Sequence, residues 1–231
     1  MLRLQFRFLF FRPVRPDLDG RFADWLVYIV IVSWLAGVGR YWDHPDAAAW
    51  QYAGLGSQVY VFVLAGFLYG VVRPLRPARW RYREVLVFVG LTALPGWLYA
   101  VPVERFLPLE TAQAMNAGFL ALVAAWRVAL YVRFLYAGAG LDAFRTAVAT
   151  VLPLSAIVVV LAILNLEHVV FDLMSGIREG AETANDLAYS VVVTLSVFAY
   201  LAFPVTLIAY LVAIFWRRAK IRGPDRGELR K

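Results

Sequence analysis

Several residue types and motifs are scarce or missing from this chain of 231 residues. It has no cysteine and only two histidines, His44 and His168, so disulfide bonds, thiolate metal sites and catalytic thiols are excluded. The GxSxG, GxxxxGK[ST] and HExxH motifs are also missing, which removes the common patterns of serine hydrolases, P-loop proteins and zinc proteases. We therefore assign no catalytic residue and favour a protein that is not an enzyme.

Charged residues are scarce as well. They make up 17% of the chain, and hydrophobic residues make up 62%. In soluble domains about 25% of the residues are charged and about 45–50% are apolar. The apolar residues fall into blocks of about the 20 residues that a helix needs to cross a bilayer. The predicted spans are residues 24–41, 54–72, 84–103, 112–134, 146–171 and 187–216. The sequence thus predicts an all-α polytopic membrane helix bundle with six transmembrane helices.

The basic residues predict the orientation of this bundle. Of 23 basic residues, all but Arg40, Arg105 and Arg178 fall on one side of the six-span arrangement, which leaves 20 for that side. Since basic residues stay in the cytoplasm, both termini are expected there. Residues 1–23 then form a basic interfacial segment, 24–216 the transmembrane domain and 217–231 a basic cytoplasmic tail. Because only Lys220 and Lys231 are lysine, we expect a high-GC bacterial source and a cell inner membrane.

The cytoplasmic side has a dense arginine loop at residues 73–83. Basic residues near a membrane surface attract anionic phospholipids, so the loop is a candidate lipid- or partner-binding surface. Its arginines are Arg73, Arg76, Arg79, Arg81 and Arg83. The net charge of +7 does not indicate nucleic-acid binding, because most basic residues lie between or beyond the apolar blocks.

Within the spans, one arginine and three prolines could carry function. Arg127 lies about six residues inside the fourth span, where it could bind a phosphate or carboxylate or extend to the headgroups. Pro95, Pro153 and Pro204 would kink three helices. A small-solute or ion transporter or channel that uses Arg127 and these broken helices is one alternative function.

Two short patterns concern helix packing. Ser33/Gly37 and Gly66/Gly70 place small residues four positions apart, which lets helix backbones approach closely. We expect the first two spans to pack together through them. A homo-oligomer is the alternative for such a face.

The two histidines lie in acidic surroundings on the predicted non-cytoplasmic side. Imidazole and carboxylate groups are ligands for zinc and similar ions, so a divalent metal, and a metal-dependent membrane enzyme, form a third hypothesis. Without it, no cofactor is expected. The candidate ligands are Asp43, His44, Asp46, Glu167, His168 and Asp172.

Residues 82–161 carry an ordered series of features: a basic loop, a span with Leu94-Pro95, a span with Trp126-Arg127, and a turn leading into a span with Leu152-Pro153. This order resembles bacterial members of the Yip-type family of Rab-interacting, multi-pass membrane proteins. The resemblance implies membrane organisation or protein interaction rather than catalysis. Our first hypothesis is accordingly a non-enzymatic membrane protein that acts on partners or anionic lipids.

Overall fold

A computed structural model describes residues 1–14, 16–38, 49, 53–163 and 186–221 of the chain, and in the last range the side chains of residues 194–215. In these ranges the chain is helical and contains no strand, which confirms the all-α class. The seven α-helices are α1 (Leu2–Leu9), α2 (Phe22–Val38), α3 (Leu55–Val72), α4 (Tyr82–Leu91), α5 (Leu109–Arg133), α6 (Ala143–Ile163) and α7 (Asp186–Ile221).

Four helical stretches are long and apolar enough to cross a membrane. They are Leu55–Leu75, Glu110–Gly138, Ala143–Ile163 and Thr194–Phe215. Helix α2 is apolar too, but has only 17 residues. Pro153 and Pro204 lie inside α6 and α7, as expected. The helices are those of a membrane-embedded protein, while the six-span count and the orientation stay predictions.

The third predicted span, residues 84–103, differs from one continuous helix. Helix α4 ends after ten residues at Leu91, and a 3-10 helix follows at Leu94–Ala100. Pro95 lies in this second piece, so the break comes before the proline. At about 1.5 Å per α-helical residue and about 2.0 Å per 3-10 residue, the pieces measure about 15 Å and about 14 Å. Neither piece alone has the length of about 30 Å that a crossing needs.

Helix α4 lies at the centre of the bundle. Every residue from Val85 to Leu91 is buried, as expected for a helix that is apolar on all sides. The Phe88 ring stacks on Phe134 at a centroid distance of 4.3 Å, and Phe8 and Tyr131 contact it at 5.7 and 5.9 Å. Helices α1 and α5 thus join α2 and α3 around α4.

The small residues have different roles from those expected. Helices α2 and α3 do pack closely, since a Cβ added to Gly37 would lie 2.6 Å from Ser57 Oγ and 2.9 Å from Gly54 Cα. The part of the prediction that concerned Gly66 and Gly70 is wrong, because a Cβ there would have no neighbour within 4 Å. The close contact depends on α2 and the beginning of α3 alone.

A glycine pair tests the packing around α4. A Cβ in Gly90→Ala would overlap the Ile29 side chain, whose Cγ2 would be 2.8 Å away, and such overpacking costs about 1–3 kcal/mol. We expect Gly90→Ala to lower the thermal unfolding midpoint in detergent. Gly66→Ala is the control on an open face, and an equal loss in both variants would contradict this packing.

Candidate functional site: a capped helix end and an exposed arginine loop

The carbonyl end of α4 lies inside the protein. The last four carbonyl groups of a helix have no partner within the helix, and a buried carbonyl without a partner costs about 1–3 kcal/mol. Thr92 follows the helix and is buried, and its hydroxyl donates to Val89 O at 2.7 Å. Leu91 O and Thr92 O need donors from elsewhere in the chain.

Gln5 of α1 supplies the first donor. Its side chain is completely buried, and its Nε2 donates to Leu91 O at 2.9 Å. The hydroxyl of Tyr28 donates to Gln5 Oε1, so both ends of the amide have partners. The N-terminal helix is thereby attached to the inner end of α4.

Two consecutive residues of α5 supply further donors. Trp126 Nε1 donates to Leu9 O, the last carbonyl of α1, at 3.0 Å. Arg127 Nε donates to Thr92 O at 2.9 Å. Helix C-termini carry partial negative charge, which a nearby cation stabilises. The Trp126-Arg127 pair therefore caps two helix ends that meet beside α5.

This geometry gives Arg127 a structural role that the sequence did not indicate. Its side chain is partly exposed, but its Nε is engaged with the backbone of the broken segment. The transporter hypothesis, in which Arg127 lines a path, stays a prediction. So does its assignment to lipid or partner binding.

The backbone of the arginine loop is packed and hydrogen-bonded to the rest of the protein. Leu75 is buried with 2% of its surface exposed, in a 3-10 turn that contains Pro74. The backbone N–H groups of Ala78 and Arg79 donate to Ala139 O at 2.9 and 3.4 Å. Pro74, Pro77, the buried Leu75 and the two backbone bonds thus hold the loop against Ala139, which follows α5 after one π-helical turn.

All five arginines of the loop are exposed, but their surroundings differ. Arg81 pairs with Asp19 at 3.0 Å. The guanidinium carbon of Arg83 lies 4.8 Å from the Phe22 ring centroid, and that of Arg73 lies 5.7 Å from the Tyr69 ring centroid. Arg76 and Arg79 have no side-chain ion pair or ring contact with any residue that the structure describes.

All six candidate metal ligands lie outside the described residues. These ligands are Asp43, His44, Asp46, Glu167, His168 and Asp172. Within the described ranges no three histidine, aspartate or glutamate side chains form a group suited to a metal ion. The metal hypothesis therefore stays a prediction.

No protein-family model, curated protein or solved structure matches the chain. The resemblance to the Yip-type family thus also stays a prediction.

The hydrogen-bonding roles of Gln5, Thr92 and Trp126 were not predicted from the sequence. Gln5 had one detectable feature: it is the only amide among the leucines, phenylalanines and arginines of residues 1–12. Its spacing of three or four positions from Met1, Phe8 and Leu9 places it on the same helix face as these apolar residues. A polar residue on an apolar face indicates a buried hydrogen-bond partner.

Arg127→Met tests the cap on α4. The variant leaves Thr92 O without its donor and removes the positive charge near two helix ends, so we expect a loss of about 2 kcal/mol in unfolding free energy. Thermal unfolding in detergent measures it.

Arg133→Met is the matched control. Arg133 lies on the same helix, and its side chain makes no hydrogen bond or ion pair with a described residue. We expect a smaller loss for it. Equal stability of Arg127→Met and wild type would show that the cap contributes nothing.

Proposed function

We propose that this protein is a non-enzymatic, multi-pass protein of a bacterial inner membrane whose cytoplasmic arginine loop binds the phosphate groups of anionic lipids. One observation carries the proposal: the fixed loop backbone extends Arg76 and Arg79 outward with no partner among the described residues. A guanidinium offers several N–H donors in a geometry that suits phosphate. The proposed orientation is the N-in, C-in arrangement predicted from the basic residues.

The rigid loop favours binding over simple orientation of the chain. Ordering a flexible arginine chain on a lipid costs conformational entropy, and a backbone that is already fixed reduces that cost. Leu75 and the backbone bonds to Ala139 O keep the loop in place independently of the arginine side chains. Changing the arginines should therefore alter binding without unfolding the protein.

The structure divides the arginines into a test set and a control set. Arg76 and Arg79 form the first. Arg21 and Arg81 form the second, because each is exposed and already paired with an acid, Asp24 or Asp19, at 3.0 Å. Both double changes to glutamine remove two formal charges. Exposed ion pairs contribute only about 0–1 kcal/mol, so both variants should fold.

We expect Arg76→Gln/Arg79→Gln to weaken binding of phosphatidylglycerol by up to about 2 kcal/mol, at about 1 kcal/mol per basic residue. Native mass spectrometry of the detergent-solubilised protein, titrated with this lipid, measures the bound lipid. Arg21→Gln/Arg81→Gln should lose less. Equal binding by wild type and both variants would remove the support for the loop as a lipid site, and equal losses would reduce it to non-specific charge.

A further inference from the structure

Helix α1 has two different faces. Gln5 and Leu9 point into the protein and are buried. On the outside, Leu2, Phe6 and Phe10 are 55%, 47% and 65% exposed, and their spacing of four places them in one apolar stripe. Arg3 and Arg7 are exposed beside this stripe. An apolar stripe next to cations is the pattern of helices that lie in the membrane interface.

The contacts of α1 also fix its level along the bundle. Gln5 binds Leu91 O and Leu9 O accepts from Trp126, so α1 lies beside the inner end of α4. That end is about 15 Å from the first residue of α4, by the helical rise of about 1.5 Å per residue. Helix α1 therefore lies near the end of α4 that is farther from the arginine loop.

The exposed arginines of α1 can lie this far along α4 in a membrane only if lipid headgroups reach them. An arginine exposed to the hydrocarbon centre costs about 2.5–3.5 kcal/mol or more. Arg3 and Arg7 both point away from the protein. Phosphate groups beside α1 would neutralise them, while Leu2, Phe6 and Phe10 enter the acyl region. Trp25 and Trp126, the two tryptophans that pack near α1, belong to a residue type common in this layer.

We propose that the outer face of α1 docks on an anionic lipid surface. This docking keeps Gln5 in place, so that its side chain caps the inner end of α4 at Leu91 O. The two halves are linked because the docking face and Gln5 lie on opposite sides of one eight-residue helix. This inference goes beyond lipid binding by the arginine loop. It concerns different residues at a different level of the bundle.

The first experiment measures depth. Because the chain has no cysteine, Phe6→Cys gives a single spin-label site, to be studied in nanodiscs of phosphatidylcholine with and without phosphatidylglycerol. We expect more contact with oxygen than with a water-soluble nickel complex in the anionic discs. Arg3→Gln/Arg7→Gln should reduce that preference, and Arg21→Gln/Arg81→Gln should leave it unchanged.

Two results of this experiment overturn the proposal. A label that meets the nickel complex as freely as a label in water shows that α1 is not at a lipid surface. A label shielded from both reagents shows that protein, such as a second copy of the chain, covers the face.

The second experiment tests the link to α4. Anionic lipid should raise the unfolding temperature of the wild type, and Arg3→Gln/Arg7→Gln should lose more than half of this rise. In a Gln5→Leu background the same double change should have little further effect. If the losses in this temperature rise are additive, docking of α1 and capping of α4 by Gln5 are independent, and the link is overturned.

The Arg76→Gln/Arg79→Gln variant separates this inference from the proposed function. It should leave the depth of the Phe6→Cys label unchanged even if it loses lipid binding. If the loop variant binds lipid like wild type while the α1 variant loses depth, the loop proposal fails and the α1 proposal stands. If the loop variant loses lipid binding while the α1 variant keeps its depth, the loop proposal stands and the α1 proposal fails.

Discussion

Helix α4 stops after ten residues in an apolar interior, and its last carbonyl groups cannot be hydrated there. A membrane-embedded fold must supply donors for such groups from its own side chains. Gln5 and Arg127 do so for Leu91 O and Thr92 O, and they come from opposite parts of the sequence. The need to satisfy one helix end thus joins the N-terminal helix, the broken segment and α5 into a single packing unit.

The same solution recurs at other carbonyl groups, mostly with aromatic donors. Trp80 Nε1 donates to Tyr69 O and the Tyr210 hydroxyl to Val71 O near the end of α3. Trp97 Nε1 donates to Val32 O of α2. Indole and phenol groups suit this task because they bring a donor on a large apolar body. No pattern in the sequence indicates these bonds, through which the aromatic residues connect neighbouring segments.

Features set by neighbouring residues were predictable from the sequence, whereas contacts between distant residues were not. Apolar length is a local property, so the class of fold and most of the long helices were predictable, as in α3 and α6. Pro95 indicated a break in the third segment, but the helix stops earlier, at Leu91, where side chains of α1 and α5 donate hydrogen bonds to the carbonyl oxygens of Leu91 and Thr92. No local pattern connects Gln5 with Leu91, which are 86 positions apart. The arginine loop was visible from composition. That Arg81 has an acidic partner while Arg76 and Arg79 do not became clear only from the position of Asp19 in the fold.

The described arginines have several separate tasks, and the differences decide which of these cations are available for the proposed lipid phosphates. Arg21, Arg81 and Arg145 face acids, and Arg127 faces a helix end, so each already has a counter-charge. Arg76 and Arg79 project from the loop, and Arg3 and Arg7 from α1.

Arg76 and Arg79 precede the first residue of α4, whereas α1 contacts its last turn through Phe88 and Leu91, and α4 itself is about 15 Å long. A headgroup layer is only about 5–8 Å thick on each side of the hydrocarbon. If both sets bind lipid phosphates, as proposed, one flat surface meets them only when the bundle tilts, or when the bilayer thins beside α1. Both adjustments cost fractions of a kcal/mol per Å of mismatch, against about 2.5–3.5 kcal/mol or more for each arginine left in hydrocarbon. If both proposals hold, the short α4 and the charged face of α1 favour a tilted or locally thinned arrangement over an upright bundle in an undisturbed bilayer.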